Sequence, residues 1–196
     1  MSSSTAMAMA TSIVSFFVAA PAAAHTGAVG GVIAGGFSAG LLHPLHGLDH
    51  LLAMVAVGLW AASIGGGAVR LLILLFPLAM VGGAAIAMAG IGLPEVETGI
   101  ALSVIVLGLA VALALRPVAW VAAGLVAVFA VFHGHAHGTE LPAAVNAFAY
   151  AGGFVMATIA LHLVGAAVGA MARQGTPGMV ARLAGVAIAA GGVTFL

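Results

Sequence analysis

The chain alternates between long apolar runs and short connections that carry most of its charged residues. The apolar runs extend over residues 50–64, 71–90, 97–115, 117–133, 143–170 and 179–196, after a glycine-rich stretch at 27–42. A helix rises 1.5 Å per residue, so roughly 20 apolar residues cross a bilayer. The pattern predicts an all-α, polytopic membrane protein with about six transmembrane helices.

The first 24 residues have the pattern of a cleavable secretory leader. An apolar stretch over 13–20 precedes Ala22-Ala-Ala24, which fits the small-residue rule of a signal-peptide cleavage site. We therefore expect a signal peptide over 1–24 and a single transmembrane domain over 25–196. The residues before the apolar stretch include no arginine or lysine, so an uncleaved anchor helix is the alternative.

The charged residues alternate in type from one connection to the next. The four arginines are Arg70, Arg116, Arg173 and Arg182. The connections between them carry Glu95, Glu97 and Glu140. Because arginine-bearing connections stay in the cytoplasm, the acidic connections are predicted to lie outside. If residue 25 also starts outside, the segment 27–64 crosses once, and 27–42 is expected to be re-entrant.

The composition excludes a soluble protein. Hydrophobic residues make up 64% of the chain, charged residues 4%, and the mean hydropathy is +1.33. Such a chain cannot cover a globular surface with polar groups, so membrane lipid is its expected surrounding. A formal net charge of zero without basic runs argues against nucleic-acid binding. The absence of cysteine excludes disulfides and thiolate metal sites.

Against this apolar background, six of the eight histidines fall in two short polar strings. Imidazole and carboxylate groups are costly in lipid and mark ion sites or pathways. The first string contains His43, His46, Asp49 and His50. Pro44 fits the first position of a helix, and a helix continuing to Trp60 places the three histidines within roughly 60° of one another. Asp49 lies on the flank of this face and is expected to hold an imidazole through its second nitrogen.

The second string also has helical spacing. Its ligand candidates at i, i+4 and i+7, which share one helix face, are His133, His137 and Glu140. His135 points to the opposite side, and Gly134 and Gly138 allow a neighbouring helix to approach. A helical i, i+4 pair of histidines is a recurrent way to place two imidazoles on one metal ion. The two strings together predict a site for a divalent transition metal.

The other candidate ligands have weaker signals. His162 is isolated in an apolar run, so it is either a packed core residue or an inner relay. His25 would chelate together with a new N-terminal amine, although a processed terminus is more often merely exposed. Glu97, next to Glu95, would attract a cation on the outer side. His46 and His135 are not needed to complete either helix face.

Both strings resemble the signatures of the hydrogenase/urease accessory permease family (HupE/UreJ). The first signature, His-x5-Asp-His followed by Leu-Ala-Met, is similar to the residues from His43 to Met54. The second, Phe-His-Gly-x-Ala-His-Gly-x-Glu, matches every fixed place from Phe132 to Glu140. By this resemblance the functional positions are His43, Asp49, His50, His133, His137 and Glu140. His46 and His135 fall on variable places of the family.

The resemblance and the ligand types together predict a permease that imports Ni²⁺, or Co²⁺, across the bacterial inner membrane. The ion is then the transported substrate, and no cofactor is required. The imported metal would indirectly serve the maturation of a hydrogenase or a urease. The sequence has no phosphate-loop pattern, so neither ATP hydrolysis nor another enzymatic activity is expected. The oligomeric state stays open, with a homo-oligomer as one option.

Two other functions remain open on the sequence. A membrane metal sensor, or a metal-binding subunit of a larger complex, would use the same ligands. An intramembrane hydrolase would use Gly36-Phe-Ser38-Ala-Gly40, which fits a Gly-x-Ser-x-Gly nucleophile string. This short pattern arises easily in a segment rich in glycine and alanine.

Overall fold

The computed structural model describes residues 36–141, 146–172 and 178–196, so the expected leader and His25 lie outside the described residues. This part of the chain forms seven α-helices and no strand, which confirms the all-helical prediction for it. The helices are α1 (Gly36–His46), α2 (Leu48–Ile64), α3 (Ala68–Met88), α4 (Val96–Ala112), α5 (Ala119–Thr139), α6 (Ala147–Ala172) and α7 (Met179–Val193).

Helices α3, α5 and α6 are each long and apolar enough to cross a membrane, with 21, 21 and 26 residues. Helices α4 and α7 are shorter apolar helices of 17 and 15 residues. Helices α1 and α2 form a bent pair that passes the same test when the two are taken together. Each of the six predicted apolar runs overlaps one helix from α2 to α7. The structure is therefore that of a helical membrane protein.

Gly47 interrupts the first polar string. It has an extended backbone, with φ −95° and ψ 108°, and the axes of α1 and α2 differ by 83° across it. The expectation that Pro44 begins a helix continuing to Trp60 is wrong, because Pro44 lies inside α1 and the helix is broken at Gly47. The described part of the 27–42 stretch belongs to α1. A bent pair of this kind is either a broken span or a re-entrant element.

Small residues let the helices pack closely in pairs. Helix α3 packs along α5, α2 along α6, and α4 along α7. A Cβ added at Gly134 would overlap the carbonyl oxygen of Met80, and one added at Gly138 would lie 2.6 Å from that of Ala84. The predicted approach of a neighbouring helix at these two glycines is confirmed, and that helix is α3. This pairing fixes the depth of the second polar string against the rest of the bundle.

The described residues around Arg116 and Arg182 lie near the end of α2 that is opposite to the first histidine string. Near its last turn, the indole nitrogen of Trp60 donates a 2.9 Å hydrogen bond to the carbonyl oxygen of Leu115, just after α4. Arg182, in the first turn of α7, donates from Nε to the carbonyl oxygen of Ala112 at 2.8 Å. His50 lies in the first turn of α2. The helix ends that carry the histidines therefore gather away from these arginine contacts.

Candidate metal centre

Three side chains, one from α1 and two from the C-terminal end of α5, form a compact group of ligand atoms. The ligand atoms of His43 in α1, His137 in α5 and Glu140 at the end of α5 all lie within 4.8 Å of one another. The Nε2 atom of His43 is 3.7 Å from the carboxylate oxygen Oε2 of Glu140. Two imidazoles and one carboxylate are a ligand set that suits divalent nickel, cobalt or zinc. We call these three residues the outer group.

Two more histidines extend the outer group into the bundle. The ring of His50 lies 4.5 Å from that of His137 and 4.6 Å from that of His133, measured between ring centroids. His43 and His137 are 4.8 Å apart by the same measure. The four imidazoles therefore form a continuous row, to which the two strings contribute equally. We call His50 and His133 the inner pair.

The outer end of this row is exposed and its inner end is buried. The side chains of His43 and Glu140 are 36% and 34% exposed. His137 and His50 are 5% and 6% exposed, and His133 is fully buried. Only a group that binds or pairs is stable at such depth in an apolar bundle. The row leads from an accessible mouth to a closed interior.

Asp49 contacts the inner pair through His50. Its Oδ1 atom accepts hydrogen bonds from the backbone nitrogen of His50 at 2.7 Å and from the ring Nδ1 at 2.8 Å. This is the role in which a carboxylate orients a ligating imidazole and raises its basicity. The short reach depends on Gly47, where an added Cβ would lie 2.9 Å from that carboxylate oxygen. The helix break and the carboxylate thus position His50 together.

His133 has a hydroxyl partner from α4. The Oγ atom of Ser103 is 2.9 Å from Nε2 of His133, and the same hydroxyl donates to the carbonyl oxygen of Ile100 at 2.6 Å. Both residues are fully buried. Ser103 was not among the predicted site residues, although it is the one hydroxyl residue between Ile100 and Ala112 in α4. A lone hydroxyl in an apolar helix was the available signal.

Aromatic side chains line the row of histidines. Phe154 lies 4.1 Å from the ring of His137, and the ring of Tyr150 lies 5.8 Å from that of His43. A half-open cavity of about 60 Å³ reaches His137 between α3, α5 and α6, and Met80, Tyr150 and Phe154 are among its walls. That volume is large enough for a few water molecules. This mainly apolar cavity therefore leaves open space beside His137.

The remaining candidates lie outside the row. His46 is exposed, and its Nδ1 atom contacts the carbonyl oxygen of Leu42 at 2.8 Å. His135 faces the α3–α4 connection, with Nε2 2.9 Å from the carbonyl oxygen of Ile91. Glu97 is exposed in the first turn of α4. His46, His135 and Glu97 therefore do not contribute ligand atoms to the row.

His162 is buried deeper in the bundle, on α6. Its ring centroid is 5.0 Å from that of Phe76, which is in turn 5.6 Å from His133. The phenyl ring of Phe76 therefore contacts both His162 and the inner pair. His162 is fully buried, so it occupies the depth that an inner relay requires.

Comparisons with known proteins agree with the motif resemblance. The family described as "HupE / UreJ protein" matches residues 13–195 of the chain. "Protein HupE" of Rhizobium leguminosarum bv. viciae is 47% identical over 180 residues, which cover 91% of this chain and 93% of that protein. No solved structure matches the chain significantly. The match over nearly the whole chain, with both histidine strings inside it, shows that the protein belongs to the HupE/UreJ family.

Proposed function

We propose that the protein is a secondary transporter or facilitator that imports a divalent transition-metal ion, Ni²⁺ or Co²⁺, across the bacterial inner membrane. One observation carries the proposal: a row of four imidazoles with two carboxylates runs from a half-exposed mouth into the core of an apolar helical bundle. A site that only stores a metal needs no such gradient of burial, whereas an ion path does.

The ligand chemistry narrows the cargo. Imidazole and carboxylate bind nickel, cobalt, zinc and manganese well, and the absence of cysteine disfavours Cu(I). The chain belongs to the HupE/UreJ family, and its resemblance to hydrogenase and urease accessory permeases favours nickel as the cargo. Metal delivered to the cytoplasm would then supply the maturation of such an enzyme. The cargo is the substrate, and no resident cofactor is needed.

The membrane potential supplies enough energy for import. Moving one charge through 100 mV is worth about 2.3 kcal/mol, so a dication gains about 4.6 kcal/mol. Because each tenfold concentration ratio costs about 1.4 kcal/mol, this sustains about three decades of accumulation. ATP hydrolysis is therefore not required by the energetics, and neither is proton coupling.

We also propose six crossings after a cleaved leader. The three long helices and the bent α1–α2 pair give up to four crossings among the described residues, and six crossings would need the shorter apolar helices α4 and α7 to cross as well. With the arginine-bearing connections in the cytoplasm, the mouth at Glu140 and His43 faces outward. An outward mouth is the orientation that an importer needs.

A hydrolase receives no support from the nucleophile string. Gly36 to Gly40, which includes Ser38, lies within helix α1. A nucleophile of this type instead sits on a sharp turn between a strand and a helix. The pattern is therefore better explained by the small residues that pack α1 against α6, where a Cβ at Gly40 would overlap the carbonyl oxygen of Tyr150.

The proposal is tested by uptake of ⁶³Ni²⁺ into proteoliposomes that contain the purified full-length chain as the sole protein. We expect saturable uptake under an inside-negative potential, with an accumulation ratio that rises about tenfold for each 30 mV. Unlabelled Co²⁺, Zn²⁺ and Mn²⁺ as competitors would rank the cargo range. Retained metal binding without uptake would instead favour a metal sensor or a binding subunit of a larger complex.

A further inference from the structure

We propose that the row of histidines holds the ion at two positions in series, and that Ser103 orients the deeper one. The first position is the outer group of His43, His137 and Glu140. The second is the inner pair of His50 and His133. This inference rests on the proposed transport function and assigns a second binding position and a positioning residue within it.

The free nitrogen of His50 is set by Asp49. A carboxylate has no proton to give, so the 2.8 Å contact between Oδ1 and the ring is a hydrogen bond donated by Nδ1. A neutral imidazole with a protonated Nδ1 has its lone pair on Nε2. Nε2 of His50 is buried and has no hydrogen-bond partner among the described residues. This nitrogen is therefore available as a ligand.

The free nitrogen of His133 is set by Ser103. The serine hydroxyl has one proton, which it donates to the carbonyl oxygen of Ile100 at 2.6 Å. Its oxygen must then accept the 2.9 Å hydrogen bond from Nε2 of His133. This protonates Nε2 and leaves the lone pair on Nδ1, which is buried and without a partner in the described part of the chain. Ser103 thus orients His133 with Nδ1 as its ligand atom.

Two lone pairs on adjacent buried rings point to a shared cation. The rings of His50 and His133 are 4.6 Å apart and nearly perpendicular, at 87°. Buried acceptors in native proteins are almost always satisfied, and each exception calls for an explanation. A single metal ion between α2 and α5 would explain both atoms, because Nε2 of His50 and Nδ1 of His133 would both coordinate it.

His137 links the two positions. Its ring contacts His43 on the outer side and His50 on the inner side, at 4.8 and 4.5 Å. Both of its ring nitrogens are buried without hydrogen-bond partners in the described residues. A neutral imidazole has one lone pair, so His137 offers a single ligand nitrogen, which serves the outer group and the inner pair in turn. Two dications at this spacing would repel each other strongly, so the positions are occupied one at a time.

The first experiment isolates the inner position with Ni²⁺ as the probe. The purified full-length variant His43→Ala/Glu140→Gln lacks two of the three outer ligands but keeps the inner pair. We expect it to bind one Ni²⁺ by equilibrium dialysis, with imidazole and no carboxylate in its X-ray absorption spectrum. Adding Ser103→Ala should weaken this binding roughly 10- to 100-fold, and Ser103→Thr should restore most of it.

Ser63→Ala is the matched control. Ser63 also donates its hydroxyl to the carbonyl oxygen three residues before it, that of Trp60, but it lies at the opposite end of α2. It should leave Ni²⁺ affinity unchanged in the same background. The proposal is overturned if the folded double variant binds no Ni²⁺, or if Ser103→Ala binds as tightly as its parent.

A second measurement needs no metal and does not depend on the double variant. In the wild-type chain with ¹⁵N-labelled histidine, NMR should show His133 protonated at Nε2, and Ser103→Ala should mix the two tautomers. A His133 ring protonated at Nδ1 in the wild type would refute the assignment. If the wild type transports Ni²⁺ but gives that result, the two-position proposal fails while the transport function stands. Failure of wild-type uptake itself would refute the transport function.

Discussion

Removal of the Asp49 carboxylate is the sharpest test of whether Asp49 orients the imidazole ring of His50. The change Asp49→Ala deletes the acceptor of two hydrogen bonds to His50, at 2.7 Å to the backbone nitrogen and 2.8 Å to the ring. The ring then loses the contact that keeps Nε2 as its free nitrogen. Loss of such an outer partner lowers metal affinity by about 10- to 100-fold, or roughly 1.4 to 2.8 kcal/mol.

The backbone contact adds a separate effect on stability. Helix α2 begins after Gly47, which has no side chain to cap it, so the Asp49 oxygen satisfies one of the free N–H groups of the first turn. Loss of such a cap costs about 1 kcal/mol of stability. We therefore expect Asp49→Ala to melt at a lower temperature and to bind Ni²⁺ more weakly.

The variant Asp49→Asn separates orientation from charge. The asparagine oxygen can accept both hydrogen bonds, so Asp49→Asn should bind Ni²⁺ more tightly than Asp49→Ala and melt close to the wild type. Isothermal titration with Ni²⁺ on the purified proteins measures the affinities. Equal losses in the two variants would show that Asp49 acts by its charge or as a direct ligand. Wild-type affinity in Asp49→Ala would refute the orienting role altogether.

The remaining predictions concern pH, packing and the nucleophile string. Uptake of ⁶³Ni²⁺ should fall as the external pH drops through about 6.5, because protons compete with the metal for imidazole nitrogens; unchanged uptake between pH 7.5 and 5.5 would count against histidine coordination in the rate-limiting step. In thermal melts, Gly134→Ala should destabilise the protein by about 1–3 kcal/mol, because the added Cβ would overlap the Met80 carbonyl. Gly124→Ala on the same helix should be neutral or stabilising, because its added Cβ has no neighbouring atom within 4 Å. Ser38→Ala should leave ⁶³Ni²⁺ uptake at the wild-type rate, and a loss of activity with normal folding would revive the hydrolase alternative.

Much of the architecture was predictable because a bilayer imposes a simple rule on sequence. Apolar runs of about 20 residues have to be helical, since no water is present to satisfy a free backbone. The second string was also accessible, because its histidine spacing of four residues follows the helix period without interruption through α5. His133 and His137 accordingly face the row, while His135 faces the α3–α4 connection.

The first string shows where such reasoning stops. The prediction that His43 and His50 share one helix face assumes an unbroken helix between them. The chain is instead extended at Gly47, so the helix is interrupted there. His43 and His50 nevertheless both belong to the row of histidines. The 83° bend between α1 and α2 lets both helices pack against α6. Such a long-range arrangement depends on which helices pack together, which local spacing does not encode.

The contact of Ser103 with His133 was hidden for a related reason. These residues are 30 positions apart and come together only because α4 packs against α5 beside α2. A hydroxyl in an apolar helix is usually satisfied by the preceding turn, and Ser103 does make that bond to Ile100. Its second contact becomes visible only in the folded bundle.

The central claim, that the row of histidines is the route of the metal ion, is tested most directly by ⁶³Ni²⁺ uptake in two histidine variants. His137 joins the outer group to the inner pair, whereas His46 is an exposed histidine of the first string outside the row. At a fixed inside-negative potential, and with equal amounts of folded protein per liposome, we expect His137→Ala to abolish uptake and His46→Ala to retain it. Full uptake in His137→Ala would contradict the account, because the ion would then cross without the row.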